Sequence, residues 1–413
     1  MSNSLLNISM ITKESLRQLK NQLAFAKGVN RQYDDKFAKS GAKIGSVINI
    51  RKPVRFDVTD GAALNLQGVS DQSEALTLDQ QKHVAFQFSS KELTLSIDEF
   101  SDRYIKPAVT ALANKLDYDG LNMARYSVWN SVGVPGTQPA TEATALAQIL
   151  AAGQKLDENG CPVDGQRHLV VNPATQAAYV SKLAGLFNSQ PALAKQYEKG
   201  KMADALGFSW KMDQNVVNHT VGDHEGTPAI DTTVTEDGTA TLHLDGTLGT
   251  VTGWAKKGDV IEIAGVYAVN PQTKESTGSL MQFVVTADTD SAANEIAALP
   301  IAPAIQLTGP YKNVSKAPTD GDVVTIFGHA TSHASKVSPT NIAYHKDAFV
   351  LGCADLDLPG GVDMASRAVD PDSGLSIRLV RAYDINNDVM PCRLDILYGW
   401  KAVYPELACR IQG

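Results

Sequence analysis

Between residues 222 and 330, short strand-like runs interrupt a pattern that otherwise mixes helix and strand. Within this block Gly and Thr are frequent, and apolar runs such as Val260–Ile263 and Phe283–Val285 are separated by turn clusters such as Lys257-Gly258-Asp259. Short strands at this spacing favour a self-contained β-barrel or sandwich. Mixed α/β texture resumes after residue 335, so the β module is predicted to be inserted into another domain. Its two ends must then lie close together.

Length and composition limit what surrounds the module. A chain of 413 residues is too long for one ordinary core, so we expect two to four subdomains. Four scattered cysteines without a Cys-x-x-Cys pair are typical of buried thiols in a reducing compartment. The sequence has no apolar run of 18 residues and no apolar secretory segment near its start, so we expect a protein made in the cytoplasm, with no membrane partner.

Charge is distributed unevenly along the chain. The net charge of -8 argues against a general nucleic-acid binder, but residues 1–56 carry eleven Lys/Arg against three acids, which leaves -16 on the remainder. Leu16, Leu19 and Leu23 recur at helical spacing within this basic segment, so the helix needs a partner surface in its own chain or in another. The positive charges either form a solvated helix face, dock on acidic neighbours or face nucleic acid.

Two further segments have clear periodicity. Alternating apolar residues around Ile48–Ile50 and Val84–Phe88 predict a long β-hairpin over 41–95, which is marginal alone and should rest on another subunit. Residues 96–131 carry a helical stripe that includes Leu112 and Leu116, opened by a Ser96 to Glu99 capping box. Pro107 should kink this helix near Arg103, and Gly133 with Pro135 should end it.

The C-terminal stretch RLDILYGWKAVYPELACRI (393–411) predicts a half-buried strand. Leu394, Ile396, Tyr398 and Trp400 share one side of an extended chain, with Asp395 on the other, and Tyr404-Pro405 halts the strand. The segment should complete a sheet begun far upstream.

Signatures of enzymes are missing from the sequence. It contains no phosphate-binding loop, no Gly-x-Gly-x-x-Gly after a strand and no Gly-x-Ser-x-Gly elbow. His329 and His333 have the spacing of two zinc ligands on a helix, but the surrounding residues are typical of a linker. His219 and His224 also lie in a loop-like stretch.

Two other candidates favour structural interpretations. Cys392 enters a predicted strand, where packing is the favoured role over that of a thiol nucleophile. Asp355 and Asp357, spaced by two in an extended stretch, are predicted to share one solvated face rather than act as paired catalytic carboxylates. We therefore predict no catalytic, cofactor-binding or metal site.

The order of these parts resembles the major capsid protein of tailed bacteriophages, and most sharply its short-tailed enteric phage branch, whose coat proteins carry an inserted β-barrel. Three stretches carry the resemblance: KKGDVIEIAGVYAVNPQTKESTGSLMQFVVTAD (256–288), YHKDAFVLGCADLDLPGGVDMASR (344–367) and SGLSIRLVRAYDINNDVMPCRLDILYGWKAVYPELACRI (373–411). Residues 221–242 depart from the family's pattern at the place of its protruding loop, which contacts neighbours across capsomer two-folds.

The resemblance implies an α+β capsid fold with seven parts. These are an N-terminal arm (1–40), an extended β-hairpin loop and start of the peripheral domain (41–95), a spine helix (96–135), two parts of an axial domain (136–221 and 331–390), the inserted β-barrel (222–330) and a C-terminal strand of the peripheral domain (391–413).

In function, the resemblance implies a non-enzymatic protein that self-assembles, as hexamers and pentamers, into an icosahedral shell around phage double-stranded DNA. It further implies assembly in the host cytoplasm, a scaffolding protein and a portal as partners, and DNA contact without sequence preference. An encapsulin-like nanocompartment is the alternative on the same fold, but it would normally lack residues 222–330. A secreted β-rich adhesin or an enzyme is a weaker alternative, since no signal segment or clustered acids and aromatics support it.

Overall fold

A computed structural model describes residues 8–31, 47–56, 58, 66, 68, 72–89, 106–183, 205–327, 334–369 and 375–413. In these ranges the helices are α1 (Ile8–Gln22), α2 (Lys106–Ser127), α3 (Glu142–Glu158) and α4 (Pro173–Leu183). The strands are β1 (Val47–Arg51), β2 (Ser73–Thr77), β3 (Gln80–Ser89), β4 (Ser131–Gly133), β5 (Arg167–Val171), β6 (Ser209–Met212), β7 (Asn218–Thr220), β8 (Gly226–Ile230), β9 (Thr239–Thr247), β10 (Val260–Val269), β11 (Ser276–Val285), β12 (Ile296–Ile305), β13 (Val324–Ile326), β14 (Val337–His345), β15 (Phe349–Ala354), β16 (Met364–Val369), β17 (Ser376–Arg381), β18 (Val389–Ala402) and β19 (Ala408–Gln412).

The chain divides into two compact units. The first consists of Met1–Ile50, Ser73–Gly120 and Phe349–Val403, and the second of Arg51–Gln72, Leu121–Ala348 and Tyr404–Gly413. Both units are therefore built from segments far apart in the sequence.

The first unit is organised around β18, the longest strand of the described residues. Its sheet has the order β15-β18-β17-β16, and β3 pairs with β18 along ten residues. The predicted hairpin differs here: β1 pairs with β2, whereas β3 takes the distant C-terminal strand as its partner. Pairing with β18 along ten residues satisfies more of the backbone hydrogen-bonding groups of β3 than pairing with β1 would, because β1 has only five residues.

Helix α1 packs on the sheet of its own unit. Its contacts are with β16 and β17, and Leu16, Leu19 and Leu23 are buried. The apolar stripe predicted from helical spacing is thus confirmed, and its partner surface lies within the same chain. Lys13 and Arg17 remain exposed on the opposite face.

Helix α2 buries the predicted stripe but ends early. Leu112 and Leu116 are buried, as expected. The helix stops at Ser127, and residues 131–133 instead form β4, which runs parallel to β19. Gly133 has a φ of +92°, and a Cβ there would meet the carbonyl oxygen of Gln412, so the chain turns into this strand where only glycine fits. The predicted capping box at Ser96 and the kink near Arg103 lie outside the described residues.

The second unit contains a sheet of order β4-β19-β14-β5-β6, here called the central sheet. Helices α3 and α4 cover one of its faces with an apolar core that includes Leu169, Ala343 and Ile411. Two predicted segments are therefore divided differently. Residues 331–390 contribute β14 to the central sheet and β15–β17 to the first unit, and residues 391–413 contribute β18 and β19 to different sheets. The turn at Tyr404-Pro405 separates the last two strands because proline cannot continue a ladder.

Residues 226–326 of the second unit form a six-stranded module. Its antiparallel order is β13-β10-β11-β12-β9-β8, and a bridge between Ala229 and Val323 joins the two outer strands, so the sheet is nearly closed like a barrel. The interior is apolar and encloses Trp254 and Phe283. Burial alternates at Leu242 and Leu244 on β9 and at Ile261 and Ile263 on β10, because every second residue of these stretches points inward.

The chain enters and leaves the six-stranded module side by side. Strand β7 pairs with the start of β14, with His219 opposite Ser338, and the Val221 amide donates to the Lys336 carbonyl at 2.9 Å. The expectation that the two ends of this segment lie close together is confirmed. No helix in the described ranges has the length and apolarity needed to cross a membrane.

Candidate functional site

Of the histidines singled out from the sequence, the structure describes His219 and His224, and these two do not assemble into a metal site. His219 and His224 are both buried: His219 Nε2 lies 2.7 Å from Asp259 Oδ1, and His224 Nδ1 lies 3.2 Å from the Gly222 carbonyl oxygen. His329 and His333 fall outside the described residues. Among the residues that the structure describes, no group of three His, Cys, Asp or Glu side chains is placed to hold a metal ion.

The cysteines have the properties of packing residues. All four are buried free thiols. Burial raises the pKa of Cys161 and Cys392 to about 11, and that of Cys409 to about 12. A thiolate is the reactive form of cysteine, so Cys392 is unsuited to nucleophilic attack near neutral pH.

Asp355 and Asp357 interact with different residues. The Asp355 carboxylate lies 3.5 Å from Arg367 Nε, and Asp357 accepts a hydrogen bond from Arg378 through its backbone carbonyl. Asp357 is exposed, as the predicted solvated face requires, whereas the Asp355 side chain is only 19% exposed.

A buried carboxylate in the first unit anchors the basic N-terminal segment. Asp117 on α2 accepts hydrogen bonds from the backbone amides of Ala24 (2.7 Å), Phe25 (3.3 Å) and Ala26 (2.9 Å). The Phe25 ring in turn packs against the rings of Phe349 and Trp400, at centroid distances of 5.5 and 5.4 Å. Residues 24–26, just after α1, are therefore tied to the rest of the first unit.

Asp395 on β18 was predicted to face solvent, and that prediction is wrong. The carboxylate is fully buried between Arg378 Nη2 at 2.8 Å and Arg393 Nε at 2.6 Å. Arg378 lies directly opposite Asp395 in the β17–β18 ladder, and Arg393 lies two residues before it on the same face of β18, so both side chains cover the carboxylate. Two guanidinium groups compensate the charge that would otherwise make this burial unfavourable.

The most elaborate polar arrangement lies where the six-stranded module meets the central sheet. At its centre is Asp259, the residue immediately before β10, which is buried and accepts hydrogen bonds from three groups. Besides His219, the amides of Gly222 and Lys256 donate to its Oδ2 atom at 3.0 and 2.8 Å. We call these residues, together with Arg410, the Asp259 junction.

Arg410 on β19 is the cation of this junction. Its Nη1 atom donates to the carbonyl oxygens of Gly258 at 2.7 Å and Arg125 at 3.0 Å, and the side chain is fully buried. Burial lowers its pKa to about 10, while nearby Asp259 acts in the opposite direction. The guanidinium therefore stays charged at neutral pH and connects the end of α2, the module and the last strand.

A second contact fastens the same face of the module. Gln282 on β11 receives the Ser131 amide on its Oε1 atom at 2.7 Å and donates from Nε2 to the Ser131 carbonyl at 3.0 Å. Ser279 also donates to Glu158 on α3 at 3.1 Å. Residues 281–285 are consequently buried on both faces of their strand.

Sequence reasoning missed Asp259 and Arg410. Lys257-Gly258-Asp259 was interpreted only as a turn, and Arg410 stood unremarked in the C-terminal strand. One signal was available: in ACRIQ (408–412) Cys409 and Ile411 alternate with Arg410 and Gln412, which predicts an apolar face and a polar face. Both faces are buried, because the helices cover one and the module covers the other.

A different surface is suited to contact with other chains. Phe56, Val58 and Leu66, in the segment between β1 and β2, are 64%, 95% and 83% exposed. Exposed large apolar side chains that lie this close in sequence mark a candidate contact surface.

Comparison with known proteins identifies the family to which the chain belongs. The family model described as "P22 coat protein - gene protein 5" matches residues 1–413. The chain belongs to the P22 coat protein family. It is also 21% identical, over 431 residues, to the major capsid protein of Acyrthosiphon pisum secondary endosymbiont phage 1, covering 98% of each chain.

Solved structures are similar at low identity. A structure from Mycobacterium phage Che8 has a TM-score of 0.48 and 15% identity, with 94% of this chain and 90% of the other covered. The capsid of Ralstonia phage GP4 has a TM-score of 0.46 and 8% identity, with 94% and 87% covered.

The family match makes the chain a phage major capsid protein, a building block of the capsid shell. The prediction of a tailed-phage major capsid protein is confirmed at this level, and the encapsulin alternative is not favoured.

Proposed function

We propose that this capsid protein assembles, as hexamers and pentamers, into an icosahedral shell around double-stranded DNA, and that it belongs to the short-tailed enteric branch whose coat proteins carry an inserted β-barrel. The nearly closed module at residues 226–326, entered and left through the paired strands β7 and β14, supports the assignment of 222–330 as the inserted domain. Family membership supports the shell.

The remaining domain names follow the same proposal. The sheet of the first unit, with α2 and β3, corresponds to the peripheral domain and spine helix, and the central sheet with α3 and α4 to the axial domain. Residues 1–40 are the arm, and the segment between β1 and β2 is the extended loop.

The proposed role is structural, without catalysis. Buried thiols of raised pKa and buried histidines engaged in hydrogen bonds support this role within the described residues. From the family resemblance we also propose three partners, which are a scaffolding protein, a portal and packaged DNA. The same resemblance leads us to propose assembly in the host cytoplasm and no membrane partner.

The exposed apolar segment carries the assembly proposal at residue level. Phe56, Val58 and Leu66 are exposed in the single chain, and the proposal assigns their cover to a neighbouring subunit. Burying three such side chains in a contact contributes several kcal/mol, at roughly 1.5–3 kcal/mol each. That contribution is repeated at every subunit contact of a closed shell.

Electron microscopy of the expressed protein tests this. Wild-type protein should form closed shells, whereas the triple variant Phe56→Ser, Val58→Ser, Leu66→Ser should remain as folded, unassembled subunits. Val163→Ser, which removes an 83% exposed apolar side chain elsewhere, is the control and should still assemble. Closed shells of the triple variant would refute the role of this segment, and wild-type protein that forms no shell would refute the assembly proposal.

A further inference from the structure

The Asp259 junction joins three elements that are distant in the sequence. Asp259 lies immediately before β10 in the six-stranded module, His219 lies on β7 at the entry to the module, and Arg410 lies on β19 of the central sheet. All three side chains are buried. The hydrogen bonds of Asp259 hold the entry strand, and those of Arg410 hold the module turn at Gly258.

We propose that Asp259 and Arg410 together set the orientation of the six-stranded module on the central sheet, so that the module is a rigid extension of the sheet rather than a domain swinging on two strands. The two covalent connections, at β7 and β14, are adjacent and would by themselves act as a hinge. The bond from Arg410 to Gly258 and the contact of Gln282 with Ser131 oppose such motion, because Arg410 lies on β19 and Ser131 on β4, outside the connecting strands.

The chemistry of the Asp259 junction favours one orientation of the six-stranded module on the central sheet. Swinging the module would break the bond from Arg410 to the Gly258 carbonyl and move the buried Asp259 charge away from the nearby guanidinium, which is strongly unfavourable. Gly258, at a φ of +99°, lets the turn approach His219 and Tyr126, because a Cβ there would lie 3.1 Å from both rings. A larger residue would force the turn away from Arg410.

Spin labels measure the orientation directly. Leu248, on the loop after β9 of the module, and Val163, on the loop before β5 of the central sheet, are 63% and 83% exposed and accept cysteine substitutions. The native cysteines are buried, so labelling of the full-length protein is selective for the new sites. We expect one narrow distance distribution in pulsed electron spin resonance for the otherwise wild-type protein.

Two substitutions break the junction in different ways. Asp259→Asn removes the negative charge at constant size. Arg410→Met removes the cation while Asp259 keeps its bonds with His219 and the two amides, so this variant should fold even if the first does not. Each should broaden the distance distribution. The amides of Gly222 and Lys256, which donate to Asp259, should exchange about tenfold faster or more in Asp259→Asn, since hydrogen bonds to a charged acceptor are lost.

Asp320→Asn is the matched control, because it makes the same charge change at an exposed position of the module. It should leave both measurements unchanged. A broad distribution in the parent protein, or a narrow one retained in folded Arg410→Met, would overturn the proposal. Broadening in Asp320→Asn as well would also overturn it, since net charge rather than the junction would then control the orientation.

Discussion

Replacing Asp117 by alanine should release the N-terminal segment from the first unit. Two of the amides that donate to this carboxylate, those of Ala24 and Ala26, are at 2.7 and 2.9 Å, whereas the third, at Phe25, is at a longer 3.3 Å. Hydrogen bonds to a charged group contribute about 1.5–3 kcal/mol each, so two good bonds correspond to a loss of about 3–6 kcal/mol in the free energy of local opening. The amides lie in a buried turn and cannot regain water without such opening.

Asparagine at the same position should have a smaller effect. The side-chain oxygen of asparagine can still accept hydrogen bonds, but the NH2 group that replaces the second oxygen is itself a donor and cannot accept from a backbone amide. We therefore expect a loss of about 1.5–3 kcal/mol in the free energy of local opening. Glu142→Ala, which removes an exposed acid from the first turn of α3, is the control and should cost less than about 1 kcal/mol.

Hydrogen exchange at residues 24–26 and limited proteolysis of the purified chain are the assays. We expect the amides of residues 24–26 to exchange slowest in the wild type, faster in Asp117→Asn and fastest in Asp117→Ala. We also expect new proteolytic cleavage near the N-terminal segment in the variants. If Asp117→Ala changes exchange at these amides by less than about tenfold, equivalent to about 1.4 kcal/mol, the carboxylate does not anchor the arm and the reasoning is refuted.

Other consequences are testable in the same preparations. Leu116→Asp should give insoluble or protease-sensitive protein, because it buries an unpaired charge; wild-type solubility would contradict the packing of α2. The fragment 222–330 expressed alone should give dispersed amide signals in NMR and a cooperative melt, and a random-coil spectrum would disprove its autonomy. Raising the pH from about 9 to 12 should destabilise the protein, because the buried thiols have a raised pKa and stay protonated in the folded state while unfolded thiols ionise from about pH 9; thermal melts that do not fall in this window would contradict the burial. Changing Lys13, Arg17 and Lys20 to Gln should weaken assembly of empty shells, an effect that added salt should reproduce; lost DNA retention with normal assembly would instead favour DNA as the arm's partner.

Local patterns in the sequence determined most of the elements. The alternation around Leu394 and Tyr398 predicts β18, the helical spacing of Leu16 and Leu19 predicts α1, and the change of texture at residue 222 predicts a separate β module with adjacent ends. Each of these signals depends on residues within one or two turns or pleats of each other, so the sequence alone expresses them.

Only the tertiary structure decided which elements meet. That β3 pairs with β18 rather than with β1, that β18 and β19 enter different sheets, and that Asp395 is buried all depend on which strands the fold brings together. Arg378, for example, reaches Asp395 only through the pairing of β17 with β18. The Asp259 junction is of the same kind, since Asp259 and Arg410 are separated by 151 positions and each is an ordinary polar residue in its local context. A charge can be buried only where the fold brings its partner, and local propensity contains no information about that partner.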